Sequence, residues 1–460
     1  MDPYQQYADD IVGRAAAAAE AWRRFDQAQA DAVVEAMAAA AWEARENLAR
    51  LAVDETQMGV FGDKVLKNAW AAAIVRDSLR GTRTAGVIAQ DEASGITEFA
   101  EPVGAVLGLV PVTNPTSTAI FKALVCAKTR NALIFSPHRG ARKCVRETAR
   151  ILSEAATGAG APEDAIQVVS RSQTEYLRQV MVHKRLALIV ATGTRSIVEA
   201  ARHSGTPTLG VGPGNVPVYV HGSADLAEAA RRILLSKTFD NGTVCASEQA
   251  VVVESPQAAA LREAFERGGA HFCSAAEVEA LGPVCFEASH RRMRADVVGQ
   301  PAAEIARRAG FRVPARTRLL VGAPGGIGPS HPLSAEILAP VLAWYEVRSY
   351  AEALRTCRAI TAWGGVGHTV GVHARDESVV ADFAQMRASR VLVNQPTTQG
   401  AIGGIVNGLQ PSLTLSCGPS ARNLTTDNIG ARHLLNIHRV VLPRANPAWA
   451  ELTTGPADRV

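Results

Sequence analysis

The chain has 460 residues, 47% of them apolar and 20% charged, with a formal net charge of +4; this is too long for one ordinary core and too apolar for a disordered chain. Lys and Arg are scattered and aromatic residues make up only 5%, which argues against a basic stripe or a base-stacking platform for nucleic acid. The seven cysteines, Cys126, Cys144, Cys245, Cys273, Cys285, Cys357 and Cys417, are odd in number, far apart and never form CxxC; that is neither a disulfide framework nor a zinc-finger pattern, and it fits a reducing cytoplasm with no metal site.

The opening MDPYQQYADDIVGRAAAAAEAW has neither the basic nor the apolar region of a signal peptide. No window approaches 18 uncharged apolar residues, so no membrane span is expected. Residues 4–80 are rich in Ala, Leu and Arg, with apolar positions recurring at three and four, and predict helices. In 85–102, two β-rich runs flank DEASG and predict a hairpin. From 103 the pattern alternates: VGAVLGLVPV, NALIFSPH and LALIVATG predict buried strands, with helical runs between them. Such alternation implies a parallel sheet with crossovers, covered on both faces. Short strands TPTLGVG and VPVYVH follow. A second alternating block starts near Ala224, with strands at AVVVE, TRLLVG, VLAWYEV, HTVGVH and RVLVN, and HLLNIHRVVLP predicts one more strand near the end.

Four stretches carry candidate chemistry. In ATGTRS (191–196) Gly193 turns the chain and Thr194 can cap a helix; this is either an anion site at a helix start or an ordinary strand-to-helix turn. GVGPGNVP (210–217) contains GxGxG but opens no helix, so it lacks the dinucleotide fingerprint. FDNGTVCASEQ (239–249) sets Cys245 in a loop between a helix and a strand, as a nucleophile or as one more inert thiol. In PVTNP (111–115) Asn114 is either an oxyanion donor or part of an Asn-Pro turn. His368, in GGVGHT (364–369), reads as a solvated loop histidine unless a proton moves nearby.

Together, and in this order, the stretches VDETQMGVFGDKVLKN (53–68), PVTNP, IFSPH (134–138), ATG, GVGPGNVPVY, LLSKTFDNGTVCASEQ (234–249), LAPVLAWY (338–345), GGVGHT and PSLTLSCG (411–418) resemble the aldehyde dehydrogenase superfamily, and within it the CoA-acylating branch. The resemblance implies an α/β fold. Two Rossmann-like parallel-sheet domains are expected, a dinucleotide-binding one (1–84 and 102–222) and a catalytic one (223–400). A small β oligomerisation arm (85–101 with 401–445) would make a homodimer or homotetramer. It implies CoA-dependent oxidation of a small aldehyde to an acyl-CoA, with reduction of NAD and NADP also possible. Cys245 stands at the nucleophile's position and Asn114 at the oxyanion asparagine's. Glu336 stands at the position that holds the nicotinamide ribose, and Gly193 and Thr194 face the pyrophosphate. Thr113, Ser136, His138 and Gly212 complete the expected cofactor contacts.

The departures are informative. Hydrolysing members carry a glutamate 34 positions before the cysteine; here that position is Val211, which cannot activate water, so the thioester would await a thiol. His368 is the candidate that helps deprotonate CoA. Where NAD-preferring relatives place Lys and then Glu, this chain has Ser136 and Arg139, and an arginine there accommodates a 2′-phosphate. Arg422 in CGPSARNLTT suggests an anionic aldehyde, sulfoacetaldehyde or succinate semialdehyde. A short neutral aldehyde, a hydrolytic enzyme releasing free acid and a catalytically silent subunit are the alternatives.

Overall fold

The computed structural model describes residues 2–171, 174–287, 292–446 and 448–449. The N-terminal region is helical, as its periodicity predicts. Asp2 caps helix Pro3–Trp22, and Asp26 with Gln29 forms a capping box that starts Gln27–Glu43. Helices Arg45–Thr56 and Phe61–Trp70 follow. The predicted hairpin is β1 (Gly86–Asp91) and β2 (Ile96–Pro102), antiparallel, with Gly95 at positive φ in its turn.

The first alternating block gives β3 (Ala105–Val110), β4 (Ala132–Pro137), β5 (Ile166–Val168), β6 (Leu186–Ala191) and β7 (Thr208–Gly210). They form a parallel sheet in the order β5-β4-β3-β6-β7. Helix Pro3–Trp22 packs its Ala8, Ile11, Val12 and Ala15 on one face. Helices 27–43, 115–128 and 142–158 cover the other. The chain runs outward from β3 to β5 and then returns to place β6 beside β3. A crevice at the carboxyl ends of β3 and β6 results, the usual ligand position in such sheets.

The second block gives β8 (Val216–Val220), β9 (Glu248–Glu254), β10 (Ala270–Phe272), β11 (Leu319–Gly322), β12 (Val341–Val347), β13 (Gly367–His373) and β14 (Ala388–Val393), in the order β10-β11-β12-β9-β8-β13-β14. Helices Leu226–Thr238 and Ser255–Arg267 cover one face, and Tyr350–Gly364 and Glu377–Ala384 the other. The expected boundary at 222 does not follow the sheets. Residues 216–220 are fully buried and pair with β9 and β13, so the chain changes sheet within 211–215. VPVYV reads as a strand from either side; only its neighbours decide which sheet takes it.

The last strand, β15 (Leu435–Val441), pairs antiparallel with β2 and extends the hairpin into a three-stranded sheet. Arg130 anchors this arm. It is buried at positive φ, and its guanidinium donates to the carbonyls of Arg23, Phe25, Thr84 and Ala100. Asn131 adds bonds to Leu434 O and from Gly104 N. Replacing Arg130 by Ala strands those carbonyls away from water. It is expected to lower the unfolding free energy by about 3 kcal/mol, read as a lower urea midpoint. An unchanged midpoint would show that the guanidinium anchors nothing.

Candidate active site

Cys245 lies between the end of helix Leu226–Thr238 and β9, in a turn that could not have been drawn from propensity. Asp240 and Asn241 both hold positive φ, 50° and 52°, and Gly242 follows at 72°. Two non-glycine residues in that region cost about 1–3 kcal/mol each and persist only when their surroundings over-determine them. Here Asp240 N donates to Asp63, the Asp240 carboxylate accepts from Val60 N at 2.7 Å, and Asn241 Nδ2 donates to Gly299 O. The turn delivers Thr243, Val244 and Cys245 toward the carboxyl end of β3, where Asn114 Nδ2 donates to Thr243 O at 3.2 Å and to Thr113 Oγ1 at 3.1 Å. Asn114 thus meets the cysteine turn directly. Pro115 opens helix Pro115–Lys128 immediately after it.

Cys245 is half-buried, and the other free cysteines include Cys417 close by. Burial pushes the Cys245 thiol up to about 12, helped by Glu336 and Cys417 and opposed by Arg390. The resting Cys245 is therefore a protonated thiol. Val211 is buried in the apolar cluster that includes Val244, Ala246, Leu415 and Cys417, against which Cys245 packs. Glu336 accepts from Gly214 N at 2.9 Å, and burial raises its carboxyl to about 7. Gly214 allows the close approach that brings these parts together: a Cβ there would lie 1.9 Å from the Cys245 carbonyl oxygen and 3.4 Å from His368 Cε1.

His368 departs from the solvated-loop expectation. It is the second residue of β13 and fully buried, with Nδ1 3.0 Å from Thr369 Oγ1 and no partner on Nε2. Burial and Arg390 hold it well below the ordinary histidine range, so the ring is neutral. A buried nitrogen without a partner, beside the Cys245 turn, is a feature that calls for an explanation.

The expected cofactor residues fall at the carboxyl ends of adjacent strands of the first sheet. Thr113 and Asn114 follow β3, and Ser136 near the end of β4 is buried. His138 Nδ1 accepts from Gly140 N, while Arg139 is exposed. After β6 come Gly193 and Thr194. Thr194 is the N-cap of helix Arg195–Arg202 but makes no side-chain cap bond, so the first N–H groups of that helix are left for a ligand. A Cβ on Gly193 would meet Ile197 at 2.8 Å. Gly212 faces Cys417, whose Sγ would lie 3.7 Å from an added Cβ. This crevice fits a dinucleotide's pyrophosphate at the β3/β6 switch point. Arg422 is exposed at positive φ after the turn Pro419–Ala421.

Several residues escaped the sequence. Arg390 is buried in β14 and donates to Ser416 O, His368 O and Asn428 Oδ1; an arginine inside the run ASRVLV was its only signal. Lys64 and Lys67, in DKVLKN, are buried beside Asp240. One group among the described residues could offer three donor atoms to a metal ion, His271, Cys273 and Glu277, within 4.8 Å of one another. It sits by edge strand β10, away from Cys245, and Glu277 is already engaged in a capping box with Ser274.

The sequence pattern of the aldehyde dehydrogenase family matches residues 4–298. The chain is 40% identical over 447 residues to the bifunctional aldehyde-alcohol dehydrogenase AdhE of Escherichia coli K12, covering 96% of this chain and 50% of that protein. It thus spans about half the length of such bifunctional relatives. It is 36% identical to the sulfoacetaldehyde dehydrogenase (acylating) of Cupriavidus necator, covering 97% of this chain and 91% of that one. Among solved structures, the acetylating aldehyde dehydrogenase of Geobacillus thermoglucosidasius superposes with a TM-score of 0.94 at 42% identity, covering 96% of this chain and 98% of that chain.

The raised thiol makes a pH prediction. A thiolate is the reactive form, and the Cys245 thiol ionises only near 12. Its alkylation by iodoacetamide, followed by peptide mass spectrometry in the free enzyme, is expected to keep rising through pH 10. A plateau near pH 8 to 9 would mean an ordinary or activated thiol.

Proposed function

The chain belongs to the aldehyde dehydrogenase family, and we propose that it is a CoA-acylating member that oxidises a small aldehyde to an acyl-CoA. Once Cys245 has lost its thiol proton to solvent, the thiolate attacks the aldehyde carbon, forming a C–S bond and an oxyanion that Asn114 Nδ2 and the Cys245 backbone N–H hold. When bound, NAD would supply the hydride acceptor. Gly193, Thr194 and Gly212 would hold its pyrophosphate, Glu336 its ribose, and Thr113, Ser136, His138 and Arg139 would complete its contacts. Cys245 is left as an acyl thioester. The thiol of CoA attacks that carbonyl, Cys245 leaves as thiolate, and the neutral His368 receives the CoA proton on Nε2.

The observation that carries this reading is Val211. It places a buried apolar side chain where hydrolysing relatives carry a glutamate, within the extended apolar cluster on which Cys245 packs. Without a base to activate water, the thioester persists until a stronger nucleophile arrives. A thiol is that nucleophile at neutral pH. NAD is the expected electron acceptor, with exposed Arg139 able to meet a 2′-phosphate as well. Arg422 gives the anionic-aldehyde reading its charge, and acylating relatives that act on sulfoacetaldehyde and on succinate semialdehyde resemble this chain over most of its length. The unpaired cysteines support a reducing cytoplasm, and among the described residues no helix is long and apolar enough to cross a membrane.

The arm is the proposed oligomer seam, making a homodimer or homotetramer. Val440, Val441 and Leu442 stand exposed on and just beyond edge strand β15, and an apolar open edge invites a second sheet edge. Val440→Lys is expected to shift the sedimentation coefficient toward the monomer; an unchanged value removes β15 from the seam.

The activity is tested by NAD reduction over short neutral and anionic aldehydes, with and without CoA. CoA-dependent turnover is expected in the wild type, with none in Cys245→Ala in either direction. Arg422→Ala is expected to weaken turnover of sulfoacetaldehyde more than that of acetaldehyde, and equal effects would remove the anionic reading. Free acid released without CoA would make the enzyme hydrolytic. NAD binding without turnover of any aldehyde would make the chain a silent subunit.

A further inference from the structure

Beside the cysteine's turn lies a buried polar cluster that touches neither aldehyde nor thiol in the proposed reaction. Its centre is the Asp240 carboxylate, fully buried, whose Oδ2 accepts from Lys64 Nζ at 3.0 Å, Lys67 Nζ at 2.5 Å and Thr243 Oγ1 at 2.7 Å. Lys64 also donates to Thr113 O at 3.0 Å. Lys67 also donates to Thr243 Oγ1 at 3.0 Å and to Asn114 Oδ1 at 2.5 Å. Both lysines lie on helix Phe61–Trp70, three positions apart, and so share one face.

The contact with Asn114 decides the amide's orientation by chemistry alone. An ammonium has three donors and no acceptor, so the atom of Asn114 that faces it must be the oxygen. The nitrogen is then left on the opposite side, where its two hydrogens go to Thr243 O, two residues before Cys245, and to Thr113 Oγ1, a contact an oxyanion would replace. The same contact acts electronically. A cation on Oδ1 draws the amide's electrons toward oxygen and makes the N–H the stronger donor, in a setting with little water to screen the effect. All three hydrogens of Lys67 have acceptors, so the group is held in place. Burial lowers its ionisation to about 8, with Asp240 the largest opposing influence.

We propose that Lys67 is a positioning residue for the oxyanion site: its ammonium fixes and polarises the Asn114 amide so that Nδ2 meets the oxygen developing on the Cys245 adduct, while Asp240 holds Lys67 and the strained cysteine turn in one place. Lys67 touches neither substrate nor cofactor and acts through Asn114. The inference rests on the nucleophile and oxyanion roles proposed above.

The test is a double-mutant cycle in turnover, Lys67→Met with Asn114→Ala, together with alkylation of Cys245. Lys67→Met is expected to lower kcat roughly 10²-fold with the KM for NAD little changed. In the Asn114→Ala background the same change is expected to cost less than about twofold. Lys67→Gln, whose amide still donates to Oδ1, is expected to recover part of the loss, and it carries the cycle if the Met variant does not fold. Iodoacetamide alkylation of Cys245 develops no oxyanion, and the charges that act on the thiol are those of Glu336, Cys417 and Arg390, so its rate is expected to be unchanged. Full multiplicative losses in the cycle would overturn the proposal. So would an alkylation rate that falls with turnover, because that reports collapse of the turn. If the wild type itself shows no Cys245-dependent aldehyde oxidation, the proposed function has failed, and that outcome is separate from either result of the cycle.

Discussion

One buried carboxylate holds the site together. Asp240 joins a helix from the first 70 residues, the end of β3 through Lys64 and Thr113 O, and the turn that carries Cys245. Removing charges from water is costly, and a buried ion cluster contributes little net stability compared with a well-packed apolar one. Its value here is geometric. Two lysines and a threonine converge on one oxygen, and the other oxygen takes a backbone N–H, so each group has one possible place. That constraint over-determines two residues in the left-handed region and presents the cysteine at the edge of the crevice. Gly59 shows how tightly the parts fit: a Cβ there would lie 2.0 Å from Asp240 Oδ1.

The cysteine's surroundings keep the free thiol protonated. Glu336 and the apolar shell disfavour the thiolate, and only Arg390 among the nearby charges favours it. Arg390 is itself committed to the carbonyls of Ser416 and His368. It therefore fixes the 415–417 segment and β13 relative to each other more than it serves the thiol. An inert resting thiol is protected from adventitious oxidation, because oxidation also proceeds through thiolate. In the proposed reaction, activation would fall to the ligands, which change the burial and the charge around sulfur as they enter. Glu336 is the group best placed to respond, since its carboxyl ionises near neutrality and its one hydrogen bond is to Gly214 N.

Much of the fold was legible because its signals are local. LALIVA, AVVVE and VLAWYEV are apolar and β-rich and became buried strands of parallel sheets. The hairpin followed from β-rich runs around a glycine. What escaped depends on distant partners. The sheet that takes VPVYV is decided by β9 and β13, which come later in the chain. The lysines of DKVLKN look like a solvated helix face until Asp240 arrives from more than 170 positions away. His368 looked exposed because glycines precede it, yet β13, between β8 and edge strand β14, is buried along its whole length. Cys245 was legible as a candidate, but its protonation was not, since that depends on Glu336 and Arg390, which no local pattern places beside it.

The fate of the acyl group follows from the same shell. Val211, Val244 and Ala246 belong to the apolar cluster on which Cys245 packs, and position 211 offers no carboxylate to orient water. Glu336, whose charge acts on the sulfur, accepts a bond from Gly214 N. His368 Nε2, neutral and without a partner, is another group able to accept a proton. A neutral, buried imidazole of depressed basicity is a poor base for water, whose proton is held far more tightly than a thiol's. It is better matched to a thiol that needs only transient help as it attacks. In the proposed reaction the pocket would discriminate between the two acceptors by the carboxylate it lacks at 211 and by how weak a base His368 is.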